Sequence, residues 1–292
     1  MAALITKAII PAAGFGTRFL PATKAQPKEM LPVADKPIIQ YVVEEAVAAG
    51  ITDIVIVTGW QKRSIEDHFD YSFELEKHLE EKEKFKELKE VRRIANLANF
   101  VYIRQKGPPG NATPILNARH LIEENEPFLV LWGDDFIDAS PSRTQQLMEA
   151  YEKYGCSILS AIYTEKEEDT YRYAFAAGPE KEPGVIQVKE IIEKPGPQKA
   201  PSCLAVVSGF VFTPKIFPYL EKLTPSNDGE VVYVDALREL IKEEPVYAYQ
   251  IKNGKYYDCG NKLEYIKANI DFALKRKDLA AGLKEYLKEL NL

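Results

Sequence analysis

The chain has 292 residues, which is enough for one large α/β domain or two smaller ones. Hydrophobic residues make up 46% of the chain and charged residues 28%, with a net charge of -6, so a disordered or fibrous protein is excluded. The mildly acidic balance also argues against nucleic acid as a main partner, because such binding normally requires a basic face.

Cysteine spacing and hydropathy exclude further classes of protein. Cys156, Cys203 and Cys259 form no CxxC pair, so the sequence predicts neither a disulfide framework nor a zinc site. No apolar run is long enough to span a membrane. The first ten residues contain Lys7 and lead into a glycine loop instead of a cleavage site, so no signal peptide is predicted. We therefore expect a cytoplasmic protein with no membrane partner.

The amino-terminal part of the chain predicts a βαβ unit. Residues 5–10 are an apolar run ended by Pro11, which favours a buried parallel strand. Pro37 opens a helix with apolar residues at helical spacing, and Gly50 ends it. Asp53–Thr58 is a second buried strand. Strand, helix and strand in this order predict a mainly parallel sheet.

Further strands follow along the chain. The charged segment 74–93 keeps a thin apolar stripe and is interpreted as one solvated helix, in preference to an interaction tail. Asn99–Arg104 is a third predicted strand, Pro114 opens a helix, and residues 127–132 form a fourth strand. Ligands of open α/β sheets sit beyond the carboxyl ends of the strands, so the loops after these strands are expected to line one crevice.

The second half of the chain changes to a β-rich pattern. A helix at 147–154 and a strand at 156–163 are followed by short β-like segments at 173–177, 185–194 and Leu204–Phe212. Amphipathic helices at 231–242 and 262–273 flank a strand at 246–251, and a further helix covers 279–290. The predicted fold class is α/β, with a Rossmann-like, mixed, mainly parallel sheet flanked by helices, a smaller β-rich portion and a C-terminal helical segment.

The loop after the first predicted strand carries residues suited to a polyphosphate. Gly14-Phe15-Gly16 lets the backbone come close to a ligand, and two cations, Arg18 and Lys28, follow. The loop lacks the Gly-Lys-Ser/Thr end of a P-loop and the third glycine of a dinucleotide fingerprint. A bare Gly-x-Gly is equally typical of a tight turn, but the two cations favour a nucleotide-triphosphate loop.

A longer pattern resembles a known family. The run AAGFGTRFLPATKAQPKEMLPVADKPIIQYVVEEA at 12–46 is similar to the signature of nucleotidyltransferases that make nucleoside-diphosphate sugars, specifically the bacterial UTP–glucose-1-phosphate uridylyltransferases. Matching motifs extend over nearly the whole chain: SFELE at 72–76, EKP at 193–195, Gly229 and Glu230 with Asp235 and Ala236, and DCGNK at 258–262.

The resemblance implies nucleotide-site roles at matching positions. The backbone of Ala12, Ala13 and Gly14 would lie along the uracil and ribose, Arg18 and Lys28 on the triphosphate, and Gln105 and Gly110 at the pyrimidine edge. Gly16, Thr17 and Glu29 complete the expected nucleotide-binding set.

The resemblance also implies a metal and a sugar site. Asp134 and Asp258 resemble the two Mg²⁺-binding carboxylates, Glu193 the residue that holds sugar hydroxyls, and Lys194 the residue that holds the sugar phosphate, with Ala174 and Val207 beside the hexose. Arg18, Lys28 and Lys194 are then the expected catalytic residues. A single domain is expected, with a nucleotide-binding part at 1–165, a sugar-binding part at 166–260 and C-terminal helices at 261–292 as a possible oligomer contact.

From the residues alone, several of these positions stay open. An aspartate at the end of a strand, such as Asp134, suits Mg²⁺ beside a phosphate loop, but Asp135 offers the same chemistry. Asp258 precedes Cys-Gly-Asn and is typical of a turn residue. Glu193 and Lys194 are equally typical of a surface ion pair that closes a strand.

The implied reaction joins UTP and glucose 1-phosphate to give UDP-glucose and pyrophosphate, with Mg²⁺ as cofactor and a homodimer or homotetramer as the assembly. The chain departs from the family where Ala112-Thr113-Pro114 stands in place of a Gly-His-Ala pattern, where Ala174 replaces a glycine, and where Gly209 comes one place late. Another sugar 1-phosphate, dTTP, a catalytically weak sugar-nucleotide-binding protein and a scaffold protein are therefore the alternatives.

Overall fold

The computed structural model describes residues 4–226 and 229–290. Within these ranges the strands are β1 (Lys7–Ala12), β2 (Pro32–Val33), β3 (Lys36–Pro37), β4 (Asp53–Thr58), β5 (Asn99–Arg104), β6 (Phe128–Val130), β7 (Phe136–Ala139), β8 (Ile158–Tyr163), β9 (Ala174–Ala177), β10 (Glu180–Glu182), β11 (Val185–Gln187), β12 (Glu190–Glu193), β13 (Leu204–Phe212), β14 (Tyr247–Gln250) and β15 (Gly254–Tyr257). The α-helices are α1 (Ile38–Ala48), α2 (Arg63–His68), α3 (Phe73–Glu81), α4 (Phe85–Ala95), α5 (Ala112–Asn117), α6 (Arg143–Tyr154), α7 (Phe217–Leu220), α8 (Tyr233–Glu243), α9 (Lys262–Lys275) and α10 (Ala280–Glu289).

One mixed sheet organises these elements, with β1 among its inner strands. Its strand order is β10-β11-β14-β8-β13-β6-β1-β4-β5, and β9 and β12 attach beside β13. β1 runs parallel to both β4 and β6, and β4 runs parallel to β5, which confirms the βαβ unit. β13 runs antiparallel to β6 and β8, so the sheet is mixed.

The sheet is buried on both faces because its inner strands are apolar on both. Along β1, Ala8 and Ile10 join one hydrophobic cluster and Ile9 joins the other. α1 covers the first face with side chains such as Ile39 and Val43, each fully buried. Complete burial of one such aliphatic side chain contributes about 1.5–3 kcal/mol. This two-sided burial explains the near-continuous apolar runs of the central strands.

The charged segment is two helices, so the expectation of a single solvated helix is wrong. α3 ends at Glu81, and Glu83 takes a left-handed backbone conformation with φ 54°. The Lys84 amide then donates to the Leu79 carbonyl at 2.8 Å, a six-residue closure that ends the helix. The run of charges hides this break, because the residues on both sides are good helix formers.

The β-rich portion extends the main sheet. The segment expected as one strand at 185–194 is two strands: β11 pairs with β14, whereas β12 pairs with β9. β13, which was expected inside this portion, lies between β6 and β8. The boundaries at 165 and 260 stay a prediction. In the ranges that the structure describes, no helix is both long and apolar enough to cross a membrane.

Candidate nucleotide site

The loop after β1 needs its glycines because the backbone takes a left-handed turn there and neighbouring side chains pack close to it. Gly16 has φ 67°, and a Cβ there would lie 3.3 Å from side-chain atoms of both Thr23 and Lys28. The Thr23 hydroxyl donates to the Gly16 carbonyl at 2.7 Å, which holds the turn. Lys28 lies over Gly14, where an added Cβ would be 3.7 Å from its Nζ. The loop therefore folds back so that a cation faces the glycine backbone.

The neighbouring loop residues divide into buried and open positions. Ala12 is buried at the end of β1, and the Ala13 carbonyl would be 2.8 Å from a Cβ on Gly59, so the loop packs closely on the segment after β4. Thr17 and Arg18 are exposed on a short 3₁₀ turn. The open positions leave the Arg18 guanidinium free to reach a ligand.

Lys28 and Asp134 meet across the crevice. Their Nζ and Oδ2 atoms are 2.5 Å apart, and Gly133, just before the aspartate, donates its N–H to the Pro11 carbonyl at 3.2 Å. Burial opposes ionisation of Asp134, but Lys28 and Arg18 outweigh it and hold the pKa of the carboxyl below its ordinary range. For Lys28, burial alone would lower the pKa, but Asp134 and Glu29 raise it. Both groups are therefore charged near neutral pH.

Two carboxylates and a guanidinium converge on Gly260. A Cβ on that glycine would lie 3.0 Å from Asp134 Oδ2, 3.0 Å from Asp258 Oδ1 and 3.2 Å from Arg18 Nη2. In the described part of the chain, no group of three or more His, Cys, Asp or Glu residues is placed to hold a metal ion. Mg²⁺ is commonly held by one or two carboxylates together with substrate phosphates, so this pair of oxygens fits it.

Asp258 has a cationic partner that the sequence analysis missed. Arg172 Nη2 lies 2.5 Å from Asp258 Oδ2, and the Tyr173 hydroxyl donates to the same oxygen at 3.3 Å. Arg172 also lies 3.6 Å from Asp169. No local motif marks Arg172, and its only sequence signal is its position two residues before Ala174, which was expected beside the hexose.

Asp135 faces away from Asp134, into a buried polar cluster. Its carboxylate lies 3.4 Å from Arg143 and accepts a hydrogen bond from the Tyr256 hydroxyl at 3.2 Å. Burial raises the pKa of Asp135 to about 7, against the attraction of Arg143. Arg143 is fully buried and forms a two-pronged pair with Glu45, with Nη2–Oε2 at 2.8 Å and Nε–Oε1 at 3.1 Å. The two adjacent aspartates therefore have different environments.

The loop after β5 is attached to the start of α8. Gly110 has φ 124°, and a Cβ there would be 2.2 Å from the Val231 carbonyl oxygen, so only glycine fits. Asn111 Oδ1 accepts the Tyr233 N–H at 2.9 Å at the start of α8. Gln105 begins the loop and donates its N–H to the Thr58 carbonyl at 2.8 Å. The Asn111 side chain thus holds this loop against the start of α8.

The residues expected on the sugar side come together through the pairing of β9 with β12. Ala174 is opposite Glu193, and the Lys194 N–H donates to the Tyr173 carbonyl at 3.1 Å. Burial raises the pKa of Glu193. Lys194 has φ 43° and a side chain that is 54% exposed, 3.8 Å from the Glu193 carboxylate.

The two apolar positions expected beside the hexose are buried. Ala174 and Val207 are each 3% exposed. Ala174 belongs to the second hydrophobic cluster, with Val206 opposite it on β13. The methyl group that replaces a glycine hydrogen is therefore packed against protein atoms.

A glycine loop after a central strand, two cations and two converging carboxylates define an α/β protein that handles nucleotide phosphates. Comparison of the chain with known protein families specifies the class further. Residues 7–274 match the model of the nucleotidyl transferase family, and the chain belongs to that family.

Similar proteins cover nearly the whole chain. A Bacillus subtilis protein named UTP–glucose-1-phosphate uridylyltransferase is 49% identical over 286 residues, which are 98% of this chain and 97% of that protein. The solved structure of a UDP-glucose pyrophosphorylase complexed with UDP-glucose is 42% identical, with a TM-score of 0.85, and covers 94% of this chain and all of the solved one. A UTP-bound enzyme of the same kind from Acinetobacter baumannii is 36% identical, with a TM-score of 0.88, and covers 98% of this chain and all of the solved one.

Proposed function

We propose that this protein forms UDP-glucose and pyrophosphate from UTP and α-D-glucose 1-phosphate. The observation that carries the proposal is the convergence of Arg18, Asp134 and Asp258 around Gly260. Lys28 forms an ion pair with Asp134 at the same place. The Bacillus subtilis relative is named a UTP–glucose-1-phosphate uridylyltransferase, and one solved relative was determined in complex with UDP-glucose. Both lines support the same reaction.

The reaction needs alignment and charge neutralisation more than proton transfer. An oxygen of the sugar phosphate attacks the α-phosphorus of UTP, a new P–O bond forms, and the bond to the β-phosphate breaks with its electron pair leaving on pyrophosphate. The second pKa of a phosphate monoester is about 6, so the attacking group is already ionised near pH 7 and no general base is required. Positioning and electrostatic stabilisation are the main terms in such phosphoryl transfers.

The residues of the site divide this work. Arg18 and Lys28 bind the triphosphate, with the backbone at Ala13 and Gly14 along the nucleoside and Gln105 at the base. On the sugar side, Glu193, largely buried at the end of β12, holds hydroxyl groups, and the more exposed Lys194 that follows it holds the sugar phosphate. Asp134 and Asp258 would hold Mg²⁺, which neutralises phosphate charge when bound.

Glu29 and the assembly complete the proposal. Glu29 was expected to belong to the nucleotide-binding set, but its side chain is enclosed, 1% exposed, so we assign it an indirect role. We also propose a homo-oligomer of two or four chains that works in the cytoplasm.

A pyrophosphate-release assay tests the function. UTP, dTTP, GTP and ATP are each combined with several sugar 1-phosphates, with and without Mg²⁺. We expect the highest turnover with UTP and glucose 1-phosphate, and loss of turnover when Mg²⁺ is chelated. A preference for dTTP or for another sugar would keep the reaction class and change the substrate.

Two further results would contradict the enzymatic proposal. No turnover in any combination, with UDP-glucose still raising the melting temperature, would identify a sugar-nucleotide-binding protein. No turnover and no such shift would leave a scaffold role.

A further inference from the structure

A buried ion pair stands behind the phosphate loop. Lys62 Nζ lies 2.6 Å from Glu29 Oε2, and the two side chains are 7% and 1% exposed. Glu29 directly follows Lys28 in the chain, 33 residues before its partner. Lys62 comes after Gln61, whose left-handed backbone, φ 63°, ends the segment after β4, and α2 begins at the next residue. The pair therefore ties α2 to the segment that carries the catalytic lysine.

Glu29 also touches the segment that carries Asp134. A Cβ on Gly133 would lie 3.2 Å from Glu29 Cγ, so the stem of the glutamate packs against the backbone just before that aspartate. One buried carboxylate thus contacts Lys62 and the Gly133 backbone, and its own backbone adjoins Lys28. A displacement of Glu29 would be transmitted to both partners of the Lys28–Asp134 pair.

Stability alone does not explain a buried ion pair at this place. Desolvation of the two charges offsets much of their attraction, and replacing such a pair by apolar side chains is often neutral or stabilising. Removing only one partner is different, because it leaves an unpaired charge in the interior. Lys28, the residue directly before Glu29, is a further cation on which Glu29 already acts electrostatically, so an unpaired Glu29 would attract it.

We propose that Lys62 is a positioning residue, which occupies the Glu29 carboxylate and so keeps Lys28 directed at Asp134 and at the nucleotide phosphates. In this role Lys62 does not touch the substrate. It prevents its neighbour Glu29 from competing for the catalytic cation. The proposal deepens the function proposed above and rests on it.

Steady-state kinetics and calorimetric UTP binding test the role in four variants: Lys62→Met, Lys62→Arg, Glu29→Gln and the double variant Glu29→Gln/Lys62→Met. Lys62→Met is expected to raise KM and Kd for UTP about tenfold or more, with KM for glucose 1-phosphate within about twofold of wild type. Lys62→Arg keeps the cation and should restore UTP binding. Glu29→Gln should impair UTP binding less than Lys62→Met, because it removes the competing charge.

The double variant separates positioning from the other possible roles. We expect it to recover UTP binding to within about threefold of wild type, because no competing carboxylate remains. If the double variant is as impaired as Lys62→Met, Lys62 contacts the nucleotide itself and the proposal is wrong. If both single variants lose activity equally and in step with their melting temperatures, the pair is only structural and the proposal is also wrong.

Two measurements keep the result interpretable. Should Lys62→Met fail to fold, the double variant still tests the proposal, because it has no unpaired buried charge. A loss of UTP affinity of more than about tenfold in the double variant overturns the proposal. Wild-type turnover with UTP is measured in parallel. A wild type that binds UTP without turning it over counts against the proposed reaction only, since the binding comparison among variants remains valid.

Discussion

Lys28, which we propose binds the triphosphate, lies 2.5 Å from Asp134 and over the Gly14 backbone. We expect Lys28→Ala to lower kcat/KM for UTP by on the order of 100-fold or more, because a fixed cation aimed at developing phosphate charge is lost. Arg18 stays close to Asp134 and limits the cost of leaving that aspartate without its lysine. The fold should therefore remain intact, as judged by circular dichroism and the melting temperature.

Lys24→Ala is the matched control. Lys24 is an exposed lysine on the same loop, in the short 3₁₀ turn Ala22–Lys24. It should leave kcat/KM for UTP within about twofold of wild type, because an exposed surface charge contributes little. Near-wild-type rates in a folded Lys28→Ala variant would defeat the assigned role of Lys28.

At the residue scale, sequence reasoning found the charged groups but not their partners. Arg18, Lys28, Asp134 and Asp258 were all named from the pattern, and the structure brings them together. Arg172 was missed, since an isolated arginine between two tyrosines has no local signature. Its partner Asp258 lies 86 residues away, and only folding brings the two into contact.

At the element scale, the helical hairpin of α3 and α4 is attached to α1 through Glu44. The carboxylate of Glu44 lies 2.5 Å from Lys36 and 2.5 Å from Arg93, which is near the end of α4, and Gln40 donates to it at 2.9 Å. Burial alone would raise the pKa of Glu44, but these hydrogen bonds outweigh burial and lower it from 4.5. The folded state therefore favours the ionised form.

This shift has a pH-dependent consequence for stability. Because the folded pKa of Glu44 lies below its ordinary value of 4.5, its carboxylate stabilises the fold above about pH 4.5, and the contribution is lost as the pH falls further. Glu44→Gln should lower the free energy of unfolding at pH 7 by about 1 kcal/mol, since the partners are partly exposed. The difference in free energy of unfolding between the variant and wild type should disappear below about pH 4.5.

Thermal melts from pH 7 to pH 3.5 measure the stability difference between Glu44→Gln and wild type. Glu87→Gln, at an exposed position of α4, is the control and should match wild type at both pH 7 and pH 3.5. A stability loss in Glu44→Gln that stays the same at all pH values would show that the carboxylate charge is not responsible.

The element-scale predictions succeeded where patterns are local and strong. The apolar runs of β1 and β4 and the helix α1 between them follow directly from periodicity and from Pro37. The break between α3 and α4 was missed, because a left-handed Glu83 has no sequence signal as clear as a glycine would give. The place of β13 in the sheet was also missed, because strand order depends on partners far along the chain.

At the scale of the whole molecule, exposed apolar side chains on the last two helices bear on the proposed assembly. On α9, Leu263 and Ile266 are 59% and 53% exposed, and on α10 Tyr286 is 56% exposed. Most soluble oligomers have closed symmetry, and their interfaces bury exposed apolar side chains of this kind. We expect light scattering coupled to size exclusion to give two or four chain masses.

Charged substitutions locate the interface. Ile266→Glu and Tyr286→Glu should shift the mass toward that of one chain, because the new carboxylate would be desolvated in the contact. Phe85→Glu, at a residue 61% exposed on α4, is the control and should leave the mass unchanged. If wild type elutes at the mass of one chain, the proposed assembly is wrong.

By itself, the sequence determined the α/β class and the βαβ unit that starts the fold, and it named the cations and carboxylates of the proposed site. These features depend on contacts between residues close in the chain or on long unbroken motifs, so they can be read locally. The departure at Ala174 could be seen in the sequence, but its effect could not.

Only the tertiary structure decided which of these groups meet. Lys28 and Asp134 are 106 residues apart in sequence, and the order of β1, β6 and β13 in the sheet brings them together. The same packing buries Glu29 with Lys62, turns Asp135 away from Asp134, and encloses the Ala174 methyl. Burial and charge pairing are properties of neighbours in space, and a linear pattern does not contain them.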